Sequence, residues 1–155
     1  MSGNIDKNID CDITGRIRGN ITGDVNGDID GVVSGNINGD INGNIWGHVG
    51  GNINGIIRGN IDGSISGNVT GNILGSITGQ IGSSVKGNIL GDFKGTIGRD
   101  LTGSVLGDFG VIDGKEGIIG GHMNGSIFGK MQNVVIGHNH YVSLYLHRNE
   151  KIFTE

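Results

Sequence analysis

The sequence predicts an all-β fold of stacked short repeats, and three observations carry that prediction. Every fourth residue from Ile5 to Phe109 is apolar, 27 positions without an exception. The residue two places before each of them is glycine in 23 of the 27 cases. The positions between are filled mainly by Asn, Asp, Thr and Ser. A unit as short as Gly-polar-Ile-polar has no core of its own and gains one only by stacking on copies of itself.

The period also selects strand over helix. Alternate residues of a strand share a face, so a period of four puts Ile and Gly in turn on one side and the polar residues on the other. A helix would let the pattern drift around its surface and would lose about 1 kcal/mol at each interior glycine relative to alanine. With 34 glycines and no proline among 155 residues, collagen is excluded, since it needs glycine at every third position and abundant proline. The strictly placed Ile and Val argue against disorder. They also suit strands, because β-branched side chains pack well on a pleated surface.

Taken along the chain, residues 1–14 depart first, with Lys7 and Cys11 standing where glycine is expected. Residues 15–109 form the regular rod, in which glycine pinches the inward face and the Asn or Asp before each Ile suits a bend through local bonds to the backbone. A longer period of sixteen overlies the tetrads: Leu74, Leu90 and Leu106 repeat at that spacing, as do Ser83 and Arg99, and Phe93 and Phe109. In residues 110–133 the rhythm breaks at Gly-Val-Ile-Asp-Gly-Lys-Glu-Gly-Ile, after which glycine and apolar sites exchange places, a half-unit phase shift in a continuous rod. Residues 134–155 are a different element, an amphipathic strand of Val142, Leu144 and Leu146 alternating with Tyr141, Ser143 and Tyr145.

Sixteen residues divide into two octads or four tetrads, and both give sensible windings. Three chains can intertwine as a triple-stranded β-helix in a homotrimer, or one chain can coil alone as a four-sided β-solenoid. The second resembles the pentapeptide-repeat proteins, but the unit here lacks the fifth residue that would turn each corner, which favours the triple-stranded form.

His138 and His140 share the parity of the apolar positions in the terminal strand. One chain offers two imidazoles along a line; three chains around an axis offer six in two stacked triangles, an octahedral set suited to Fe(II) or another divalent metal. The alternative is a pair of ordinary strand histidines. A glycine-rich repetitive β-rod ending in His-x-His resembles the membrane-piercing spike, or needle, of contractile phage tails and related injection machines. That resemblance implies a homotrimeric triple-stranded β-helix with one iron per trimer held by His138 and His140. It further implies a rod seated through residues 1–14 on a baseplate hub protein, transient contact with a host outer membrane, and a place in the virion tail. Receptor-binding fibre tips of phages are close neighbours of this family.

Other chemistry is not indicated. The net charge is −4 and the basic residues are scattered singly, which gives nucleic acid no electrostatic footprint. His-Asn-His spells a nuclease motif that requires a following helix. The aspartates of the early repeats lie on the polar face as a solvated ladder, and the serines have no organised base, so no enzyme is expected. The polar start of the chain shows no signal peptide. A monomeric solenoid with a flat face for ice, glycan or a partner is the remaining alternative, although its outward sites mix Asn, Asp, Thr, Ser and Arg rather than forming a threonine array.

Overall fold

A computed structural model of the chain describes residues 3–110, 117–132, 134–138 and 142–144. Among them there are strands and isolated bridges but no helix. The chain coils on itself as a β-solenoid of about seven turns, with parallel pairing throughout. Six two-residue strands lie one above the next: β1 (Arg16–Ile17), β2 (Val32–Val33), β3 (His48–Val49), β4 (Ser64–Ile65), β5 (Gln80–Ile81) and β6 (Thr96–Ile97). Their register advances by sixteen, Ile17 on Val33 and Val33 on Val49. The other three columns of apolar residues do the same through single bridges, for example Ile21 to Ile37, Val25 to Ile41 and Ile29 to Ile45.

Each coil therefore has four sides with one apolar residue centred on each. We number the sides by the first coil, in which they carry Ile5, Ile9, Ile13 and Ile17. Bends fall at the glycines between them. Of the two windings left open by the sequence, the single-chain one is present: every pairing joins residues of one chain, and from Ile21 to Phe109 each inward side chain is 0–1 % exposed without help from another copy. No polar or charged side chain is buried among the described residues. Each buried Ile contributes roughly 1.5–3 kcal/mol.

No fifth residue is needed at the corner, and the reason lies in the glycines. Apart from Gly3 and Gly110 none of the described glycines has positive φ, so backbone conformation is not what selects them. Nor do they fill the inward face, as the alternation suggests; most are half-exposed. Their missing Cβ points along the solenoid into the preceding coil. A Cβ on Gly51 would sit 2.5 Å from the carbonyl oxygen of Gly35, and one on Gly91 would sit 2.5 Å from that of Gly75. Coils stack this closely only if the corners carry no side chain.

The exceptions at Ser83 and Arg99 confirm the rule. At that corner the close approach passes to the residue before: a Cβ on Gly98 would lie 2.5 Å from the Gly82 oxygen, and one on Gly120 would lie 2.5 Å from the Gly98 oxygen.

The polar residue before each Ile has a different task from local bending. Backbone pairing uses the N–H of Ile21, which donates to Asn36 O at 2.8 Å, and the N–H of Asn38, which donates to Ile21 O at 2.8 Å. The N–H of Asn36 is left over. It donates to Oδ1 of Asn20, one coil below, at 2.8 Å. Asn52 on Asn36 and Asn68 on Asn52 continue the column at 2.8 and 2.7 Å. Side-chain ladders of this kind run up the first three sides, with Ser76 and Ser84 substituting through Oγ.

The solenoid continues past the break. Strand β7 (Leu101–Thr102) and β6 pair with β9 (Gly117–Ile127), and β8 (Phe109–Gly110) pairs with β10 (Met131–Gln132). The offset here is 22 instead of 16, as in Val105 to Ile127. The extra six equal residues 111–116, which lie outside the described residues. Space keeps its register while the sequence shifts phase by a unit and a half. A further coil follows in β11 (Val134–His138) and β12 (Val142–Leu144), both parallel to β9, with an irregularity between Ile136 and His138.

Candidate functional site

The expected metal ligands belong to this last coil. His138 ends β11 and is in register with His122 of β9; His140 lies outside the described residues. His122 is an exposed residue of the polar column that begins at Asn4 and Asn20, and its backbone N–H donates to Asp100 Oδ1 at 2.8 Å. By register the backbone of His138 stands against a residue of that polar column, whereas its parity in the sequence places it with the apolar positions. The register is irregular between Ile136 and His138: β9 advances three residues, from Ile119 to His122, where β11 advances two. Among the described residues no group of three or more His, Cys, Asp or Glu side chains could hold a metal ion.

The juxtaposition of His122 and His138 is not among the sequence expectations. The pairs on either side of it in that coil stand seventeen residues apart, so the juxtaposition follows from the irregularity and not from the period. The other histidine in a described column, His48, contacts Ser64 Oγ through Nδ1 at 2.8 Å.

Three outer features remain. Leu74, Leu90 and Leu106 stand in one column of the second side, 41–47 % exposed, with Phe128 next in register. Below them in the same column, Arg58 pairs with Asp40 at 2.9 Å and with Asn42 Oδ1 at 2.6 Å. The Asp40 carboxyl is held below its ordinary range, first by the Ile56 backbone N–H that it accepts and then by Arg58. Trp46 is exposed on the third side. The aspartates of the ladders are engaged as acceptors, Asp24 from Asp40 N–H and Asp28 from Asn44 N–H; they act as rungs. No family model, curated protein or solved structure matches the chain.

Proposed function

We propose that the chain is a non-enzymatic mechanical element, the cell-puncturing needle of a contractile injection machine, carried in the tail of a virion. The observation that supports this reading is the uniformity of the rod. From Ile21 to Phe109 every coil repeats the same closed box of four apolar side chains, bonded to its neighbours on four sides. Bending such a column requires breaking several bonds in one coil together, so force applied along it reaches the tip undiminished.

In this reading residues 1–14 seat the rod on a baseplate hub, three copies associate as a homotrimer, and His138 and His140 of each copy bind one Fe2+ at the tip. Because each chain closes its own coil, the trimer is an association of complete solenoids. The tip meets the host outer membrane transiently. Mass in solution, measured with metal analysis on the same sample, tests the reading. A particle of about 48 kDa, three times 16.0 kDa, with one iron per three chains is expected. His138→Ala with His140→Ala should remove the iron and leave the β-structure intact. A metal-free monomer would reject the needle.

A second reading, a monomeric solenoid that binds a partner on its side, is favoured by the exposed column of Leu74, Leu90 and Leu106. Exposed apolar residues in a row are typical of contact surfaces. Binding abolished by Leu90→Asp, with unchanged solubility and melting, would establish it; retention by that variant of every partner the native chain binds would reject it.

A further inference from the structure

The two exceptional corners of the first coil point to a property of the N-terminal end. From Gly19 to Gly107 each corner glycine aims its missing Cβ at the coil before it, and the added atom would come within 3.0 Å of that coil's backbone. Gly23 stands in this relation to Lys7, and Gly27 to Cys11. By the same geometry the side chains of Lys7 and Cys11 themselves leave the first coil on its open side. That is the place where the backbone of any further coil would have to lie.

We infer that the N-terminal end of the solenoid is built to refuse a further coil, and with it the head-to-tail stacking of another copy on that end. Lys7 and Cys11 are the corners at either end of the second side, Asn8 to Asp10, so an added coil is held off along that whole side. At the other two corners of the coil, Gly3 and Gly15, a Cβ would meet nothing within 4 Å, and their sides stay open.

The interior supplies the comparison. Ser83 and Arg99 also replace corner glycines, but each has a glycine before it: a Cβ on Gly98 would lie 2.5 Å from the Gly82 oxygen and one on Gly82 would lie 3.1 Å from the Ser66 oxygen. Lys7 has Asp6 and Asn8 as neighbours, and Cys11 has Asp10 and Asp12. No glycine is available to take over at either corner.

Refusal is needed because the end is otherwise inviting. Ile5 and Ile9 are only partly buried, and the concave end, about 840 Å³, is lined by residues of Asn4 to Ile17. The ladder pattern turns the carbonyls of Asn4, Asn8 and Asp12 and the N–H groups of Asp6, Asp10 and Thr14 away from the second coil. An open β edge above an apolar floor is a template for pairing, and charge at the edge, here Lys7 among Asp6, Asp10 and Asp12, is a common way to prevent it. What docks on this end must therefore do so through side chains, without adding a coil. The inference holds whether or not the rod is a needle.

The test places an extra coil on the full chain by inserting a copy of residues 19–34 between Ser2 and Gly3, in two backgrounds. With Lys7 and Cys11 present, the insert should be removed by a non-specific protease and the melting temperature should not rise. With Lys7→Gly and Cys11→Gly, the insert should stack, resist cleavage roughly tenfold longer or more, and raise the melting temperature. Equal protection of the insert in both backgrounds would overturn the inference, and so would equal cleavage in both.

Discussion

At the scale of single residues, two side chains do most of the work, and one of them is absent. Glycine is kept at the corners by the carbonyl of the coil before, which predicts a sharp difference between two alanine substitutions. Gly51→Ala forces a Cβ to 2.5 Å from the Gly35 oxygen and should cost roughly 1–3 kcal/mol or more, the scale of overpacking. Gly15→Ala meets nothing within 4 Å; it should be neutral or stabilise by about 0.4–1 kcal/mol through the unfolded chain. Urea melts of both variants check this.

Asparagine and aspartate supply the second device. Asn52→Ala would strand the N–H of Asn68, now 2.7 Å from Asn52 Oδ1, at a cost of roughly 1–3 kcal/mol. Asp40 adds a dependence on pH. Its folded carboxyl titrates below the unfolded value of about 3.9, so its stabilisation is complete above that pH and is lost as pH falls through the folded value. Asp40→Asn keeps an acceptor for the Ile56 N–H but has no charge to lose. The fall in urea midpoint between pH 6 and pH 3 should be smaller in the variant than in the native chain; an equal fall would show that Asp40 takes no part.

At the scale of the coil, the apolar column is legible in full, because Ile5 to Phe109 needs only a period and a parity to be read. The function of the Asn and Asp residues is not. Sequence proximity suggests local bends, whereas Asn20 bonds to a residue sixteen places on, and a bond of that length is invisible until the coil is closed. The corner is hidden for the same reason, since what Gly51 avoids is an atom of Gly35 and not of its own neighbours.

The phase exchange after residue 110 is legible as half a unit. Its spatial meaning is not: Ile119 stacks on Ile97 and Met123 on Leu101 as though nothing had intervened. The bonds Gly110 N–H to Phe93 O and Ile118 N–H to Gly95 O bracket the additional six residues. Deletion of 111–116 restores the sixteen-residue offset and should leave the circular dichroism spectrum and the melting temperature close to native. A large loss of stability would mean that those residues belong to the stack.

At the scale of the whole molecule, a solenoid in which each coil touches only its neighbours has a stability that sums along its length. Its ends and its sides then decide what it can join. Refusal of a further coil at Lys7 and Cys11 limits one end, while the exposed leucine column offers a surface elsewhere. The His-x-His motif is legible as a motif, but the register of His138 on His122 depends on the irregularity after Ile136, which no period predicts.

The claim on which the rest stands is that one chain closes each coil. Asn38 and Asn54 are exposed and bonded side chain to side chain at 2.7 Å across adjacent coils, and in-register strand neighbours lie about 4.8 Å apart, within reach of a disulfide. The decisive measurement is the mass, under denaturing non-reducing conditions, of an oxidised Asn38→Cys, Asn54→Cys variant that also carries Cys11→Ser. A disulfide within a single 16.0 kDa chain is the predicted result. Disulfide-linked chains, formed in high yield at low protein concentration, would contradict it and restore the intertwined winding.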